Sequence, residues 1–152
     1  NNPLFQGIKV VTGNVPPTEP YIQSESIDMV LTFRNLHNWL ARDSMKEVMN
    51  EAYKALKPDG YFGVVEHRAP EGSSLAFMKT SGYVTQSLAI KVAESIGFKL
   101  IATSEINANN KDTKDHSKGV WTLPPSYRLK DKDRSKYEAM GESDRMTLLF
   151  KK

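Results

Sequence analysis

Apolar positions follow two alternating rhythms along this chain. Ile27-Asp28-Met29-Val30-Leu31-Thr32-Phe33 is a nearly continuous apolar run, the pattern of a strand buried on both faces. Ile8-Lys9-Val10-Val11 is a shorter run of the same kind, ending at Thr12-Gly13-Asn14. From Met45 the apolar residues Val48, Met49, Ala52 and Leu56 fall at helical spacing, and Ser44 followed by Glu47 has the form of a capping box that starts the helix. Lys57-Pro58-Asp59-Gly60 stops it, because proline cannot continue a helix and glycine supplies the turn, so Tyr61 to Glu66 reads as the next strand.

The cycle then repeats. Val84, Leu88, Val92, Ala93 and Ile96 make a helical stripe closed by Gly97, and Phe98 to Glu105 follows as a strand. This alternation predicts an α/β fold built on a parallel sheet. Residues 106–144 break the rhythm, being long, polar and marked by Gly119, Pro124-Pro125 and Gly141. A stretch of that length is expected to be either functional or disordered. Arg145 to Lys151 returns to order as a strand in which Met146, Leu148 and Phe150 alternate.

Composition narrows the reading. The 152 residues make one domain, long enough to bury roughly 70% of the unfolded surface. No apolar run approaches the ~18 residues of a membrane span, and the start does not resemble a signal peptide, so a protein without a membrane segment is expected, with the cytoplasm the favoured compartment. The chain has no cysteine, which excludes disulfides, thiolate metal sites and cysteine nucleophiles. It opens on Asn1, as a processed or partial chain would. The net charge of +3 is concentrated in the polar stretch. There the signs alternate, as in Lys130-Asp131-Lys132-Asp133-Arg134, which favours a solvated loop over a nucleic-acid interface.

The succession Gly13-Asn14-Val15, Ile27 to Phe33, Leu36-His37, Leu56-Lys57-Pro58-Asp59-Gly60-Tyr61 and Ile96-Gly97-Phe98 resembles the second half of the class I S-adenosylmethionine-dependent methyltransferase pattern. More narrowly, Phe33-Arg34-Asn35-Leu36-His37-Asn38-Trp39, Glu66-His67-Arg68, Gly119 to Pro125 and Gly141-Glu142-Ser143-Asp144-Arg145 are similar to a group of bacterial methyltransferases of unassigned substrate. The resemblance implies a Rossmann-like sheet, mostly parallel with an antiparallel C-terminal strand. It makes residues 1–152 the C-terminal part of a single methyltransferase domain, with a polar insertion at about 106–144 and the first strands of the fold missing. It also implies S-adenosylmethionine as cofactor, bound weakly or not at all by this part of the domain alone, with Gly13, Asn14, Val15 and Phe33 on the cofactor wall. Asn14 stands where the family commonly has an aspartate, and its amide oxygen can still accept a hydrogen bond from adenine.

In open α/β sheets ligands sit beyond the carboxyl ends of the strands, where Arg34, Asn35 and His37 follow one strand and Glu66, His67 and Arg68 another. The reading therefore places catalytic His37, His67 and Glu66 beside substrate-binding Arg34, Asn35, Trp39 and Arg68. An imidazole can take a proton near neutrality, and the arginines suit a carboxylate or phosphate on a small-molecule acceptor. No pair of histidines stands four apart, so no metal site is expected. Two alternatives remain: a non-catalytic interaction module, and another nucleotide-binding domain such as a nicotinamide-binding one. A chain beginning near the family's third strand would leave Ile27 to Phe33 at an open edge, so either a homodimer through that edge or Ile8 to Val11 folded back beside it is expected.

Overall fold

The computed structural model describes residues 6–152. Four strands, β1 (Ile27–Phe33), β2 (Leu56–His67), β3 (Lys99–Ser104) and β4 (Arg145–Lys151), form one sheet in the order β1-β2-β4-β3. β1 and β2 pair in parallel, whereas β4 lies antiparallel between β2 and β3. Five helices accompany them: α1 (Leu36–Ala41), α2 (Met45–Ala55), α3 (Leu75–Ser81), α4 (Gln86–Ile96) and α5 (Arg134–Met140). This is the α/β sheet expected, including its antiparallel last strand.

α2 and α4 pack over one face of the sheet, and the core lies beneath them. Phe62, Phe98 and Phe150 form a three-ring cluster, with Phe62 stacked on the other two at centroid distances of 5.1 and 6.2 Å, and Tyr53 of α2 meets Phe98 edge-on at 4.9 Å. On β4 Met146, Leu148 and Phe150 are buried while their neighbours are half-buried, the period-2 pattern of a strand with one face on the core. The other face is more open. Met29, Leu31 and Phe33 are 49, 56 and 58% exposed, so β1 is not the doubly buried strand its composition suggested. Among the described residues, the apolar side chains of this face meet no covering helix.

Several elements depart from the expectation. Residues 8–11 form no strand and are exposed, so β1 keeps an open outer edge and the expected return of Ile8 to Val11 beside it does not occur. A strand needs a ladder partner, and no neighbouring strand reaches this segment. The capping box at Ser44 is not formed. Its hydroxyl turns back to donate to the Trp39 carbonyl at 3.2 Å, closing the preceding helix. Helix α2 ends at Ala55, and Lys57 to Gly60 swells out as a bulge between two stretches paired with β1. Asp59, not Gly60, takes the left-handed backbone there, with φ +67°. Helix α3, capped by Ser74 and ended by Gly82 at φ +77°, was not foreseen.

The polar stretch between β3 and β4 is ordered by two buried aspartates. Asp112 accepts hydrogen bonds from the Tyr83 hydroxyl, His116 Nε2 and the backbone N–H groups of Lys114 and Asp144. Asp144 accepts from the Asn109 N–H, from Arg68 through two nitrogens, and from Lys114 Nζ at 2.7 Å. Burial raises the Asp144 pKa, but hydrogen bonds from Arg68 and Lys114 outweigh it and leave the carboxyl at about 2. These contacts tie both ends of the stretch to the sheet, and a short 3-10 turn, Gly119–Thr122, is carried in between.

Candidate functional site

The carboxyl ends of β1 and β2 open into a pocket of about 390 Å³. Arg34 and Asn35 leave β1 there, and the next two residues begin α1. Arg34 adopts φ +58°, and its N–H donates to the Val65 carbonyl at 2.7 Å, so the chain swings across β2 before entering the helix. That swing carries His37 over the end of β2, where Glu66 and His67 stand.

Glu66 is fully buried, and both of its oxygens are engaged. One accepts from the backbone N–H of His37 at 3.1 Å; the other accepts from the His67 N–H at 2.7 Å and bonds the His37 ring Nδ1 at 3.0 Å. The first of these satisfies one of the backbone donors that a helix start leaves without an intrahelical partner. With Nδ1 tied to a carboxylate, the ring proton of His37 belongs on Nδ1, and Nε2 is the atom left to accept another. His67 is 5.4 Å from His37, ring to ring, and its Nδ1 bonds the Ser143 hydroxyl at 2.5 Å. Burial, followed by the neighbouring His37, Arg145 and Arg34, pushes the His67 pKa down to about 3, so this imidazole is neutral at physiological pH.

The far wall comes from the polar stretch. Val120, Trp121, Pro124 and Pro125 line it, and Trp121 meets His37 edge-on at 5.8 Å. Gly119 permits this approach: its φ is +56°, and a β-carbon there would collide with the Ser81 carbonyl. The Arg128 guanidinium lies 4.8 Å over the Trp121 ring.

Of the residues singled out from sequence, the pocket gathers Phe33, Arg34, Asn35, His37 and His67, with Glu66 directly behind the two histidines. It does not gather Arg68 or Trp39. Arg68 points the other way, held by a two-pronged contact to Glu105 and by Asp144. Trp39 lines a separate, more apolar cavity of about 280 Å³ with Tyr21, Ile22, Val30 and Val48. Gly13 and Asn14 lie at the border of that cavity, since the Tyr21 hydroxyl donates to the Asn14 carbonyl and its ring packs on Gly13, whereas Val15 does not line it. The Asn14 amide nitrogen donates to Thr18 Oγ1, which leaves its side-chain oxygen as an acceptor.

Beyond Asn38 and the wall residues of the polar stretch, Ser143 and Arg145 also line the pocket, and the sequence reading places neither in the site. The rule that sites form at the carboxyl ends of strands misses them because β4 runs antiparallel. Its first residue, Arg145, sits opposite His67. A closing strand that alternates like Met146 to Phe150 and starts on a charged residue is the signal that could have found it.

His37, Glu66 and His67 each offer a ligand atom, all within 4.8 Å of one another, so they are the set that could hold a metal. The chemistry fits a hydrogen-bonded dyad better. Glu66 already accepts three hydrogen bonds, and the Arg34 and Arg145 charges beside His67 oppose a cation.

Comparison with known proteins supports the topology. Residues 1–64 match a family model described as a methyltransferase domain. Among solved structures, the [4+2]-cyclase SpnF matches with a TM-score of 0.57 at 14% identity, over 89% of this chain and 52% of that one. A SAM-dependent methyltransferase from Methanosarcina mazei matches with a TM-score of 0.56 at 11% identity, over 91% of this chain and 64% of that one. The chain thus spans between half and two thirds of the length of these structures. No curated protein matches it by sequence.

Proposed function

We propose that this chain, whose residues 1–64 match a methyltransferase-domain model, forms the acceptor wall, and part of the cofactor wall, of a class I S-adenosylmethionine-dependent enzyme that methylates a small molecule. The observation that carries this reading is the His37–Glu66 dyad, set in a pocket at the carboxyl ends of β1 and β2.

S-adenosylmethionine, when bound, supplies an electrophilic methyl group on a sulfonium, so the protein's main task is alignment. Glu66 orients His37 through both its backbone N–H and its ring, and His37 Nε2 takes the proton from an oxygen or nitrogen nucleophile as it attacks. His67, neutral and braced by Ser143, shapes the floor of the pocket and adds no charge. The Pro124, Pro125 and Trp121 wall limits access of water to the acceptor. On the cofactor side, the cavity between Tyr21, Val30 and Trp39 has the apolar lining and size that suit a purine. Asn14 at its border keeps an amide oxygen free to accept from an exocyclic amine. Arg68 and Trp39 act in this account as structural residues.

Calorimetry with S-adenosylmethionine tests the cofactor assignment. Because the matching structures are considerably longer than this chain, the 152-residue chain should bind weakly, and a full-length protein spanning the whole of the matched fold should bind more tightly. Failure of the full-length protein to bind would favour a non-catalytic role or a chemistry unrelated to methyl transfer, and the cyclase match shows that this fold does not dictate activity.

A further inference from the structure

Arg145 is placed in an unusual way for a cation. It opens β4 directly opposite His67, lines the 390 Å³ pocket together with Arg34, and is largely buried. Among the described residues, its Nε is the buried side-chain polar atom left without a hydrogen-bond partner. Its recorded carboxylate contact is with Glu142, which is half exposed and touches the terminal nitrogen. A buried guanidinium of this kind costs free energy unless its donors are matched. Arg34, in the same pocket, makes no ion pair among the described residues, and the imidazole opposite Arg145 is the neutral His67. Burial of Arg145, and secondarily the like charge of the exposed Arg34, lower the Arg145 pKa. Glu66, behind the two histidines, is spent on His37 and His67.

We propose that Arg145, with Arg34, forms an anion cradle for the methyl acceptor, which is therefore a small molecule with a carboxylate or phosphate group on an apolar body. The cradle rests on the reading of this pocket as the acceptor site. The anionic group lies across Arg145 Nε and the Arg34 head, a fork geometry that guanidinium donors suit and ammonium groups do not. The apolar body packs against Phe33, Trp121 and Pro124. The pocket volume sits near the lower end of the roughly 300–1,000 Å³ typical of small-molecule sites, which limits the acceptor to one or two rings. Neutral His67 favours this arrangement by leaving the nucleophile, and not the anion, next to His37. Glu142 acts as the placeholder that the anion displaces from Arg145.

Binding of benzoate tests this without cofactor or turnover, with benzamide as the uncharged isostere, followed by NMR titration of backbone amides, the Trp121 indole and the Arg145 Nε–H. Benzoate should bind at least 10-fold more tightly than benzamide and shift signals of the pocket. Arg145→Gln and the exposed, fold-neutral Arg34→Gln should each weaken benzoate by 10-fold or more, while Glu142→Gln should strengthen it several-fold. His37→Ala should leave benzoate affinity within twofold, so loss of methyl transfer and loss of the cradle are separable. Equal binding of benzoate and benzamide, unchanged affinity in both arginine variants, or shifts confined to other surfaces would overturn the proposal.

Discussion

Lowering the pH from 7 to 5 should cost this protein about 2 kcal/mol of stability through His67 alone. The folded state holds this imidazole at a pKa of about 3, against an ordinary value of 6.5, chiefly because it is buried and secondarily because His37, Arg145 and Arg34 surround it. The unfolded chain therefore takes up a proton below pH 6.5 that the folded chain refuses. A group so shifted contributes its full stability above pH 6.5 and loses it progressively down to about pH 3, where the loss reaches roughly 5 kcal/mol. Between pH 7 and 5 the unfolded imidazole goes from about a quarter to almost fully protonated while the folded one stays neutral, and integrating that difference gives the ~2 kcal/mol. Asp144, at about 2 in the folded state against 3.8, contributes only below about pH 5 and so stays out of the upper window. Urea unfolding at the two pH values, on wild type and on His67→Asn, reads the effect as a difference of slopes. Wild type should lose about 1 M more in midpoint than the variant. Identical losses in the two proteins would show that His67 is solvated or protonated in the folded state, and the neutral-floor argument would fail with it.

The other predictions test how the polar stretch is held. Asp112→Ala removes the acceptor shared by Tyr83, His116 and the Asp144 N–H, and should cost about 3 kcal/mol and expose residues 105–144 to limited proteolysis; an unchanged digestion pattern would contradict its anchoring role. Gly119→Ala must place a β-carbon against the Ser81 carbonyl at a positive φ, so its melting temperature should fall by several degrees, and an unaffected melt would show the 3-10 turn to be free of Ser81. Arg68→Met leaves Asp144 with Lys114 as its remaining cation and should lower stability by about 2 kcal/mol without changing benzoate affinity; a loss of affinity instead would return Arg68 to the acceptor site.

The parts of this molecule that were legible in its sequence are those dictated by local periodicity. The 3.6-residue stripe of α4 and the alternation of β4 appear where expected, because each element buries a single face. β1 departs from its pattern because a continuous apolar run does not encode what covers each face, and Met29, Leu31 and Phe33 face outward from an open sheet surface. The site was half legible. Residues leaving β1 and β2 could be placed by the carboxyl-end rule, and their convergence on one pocket followed from parallel pairing. What could not be read was long-range: that Arg68 would be claimed by Glu105 and Asp144, that Ser143 would brace His67, and that an antiparallel strand would deliver Arg145 by its first residue. Those contacts span 37 or 76 residues or close across neighbouring strands, and nothing in local spacing encodes them.

The central claim is that His37, oriented by Glu66, serves the acceptor in a methyl transfer. Transfer of labelled methyl from S-adenosylmethionine to small aromatic carboxylates, in the full-length natural protein and its His37→Gln variant, with cofactor affinity measured in parallel, addresses it most directly. The account predicts that turnover falls about 100-fold or more while cofactor affinity stays within twofold, since general-base assistance is lost and the cofactor wall is untouched. Turnover unchanged in the variant, or turnover and cofactor affinity lost together, would contradict it.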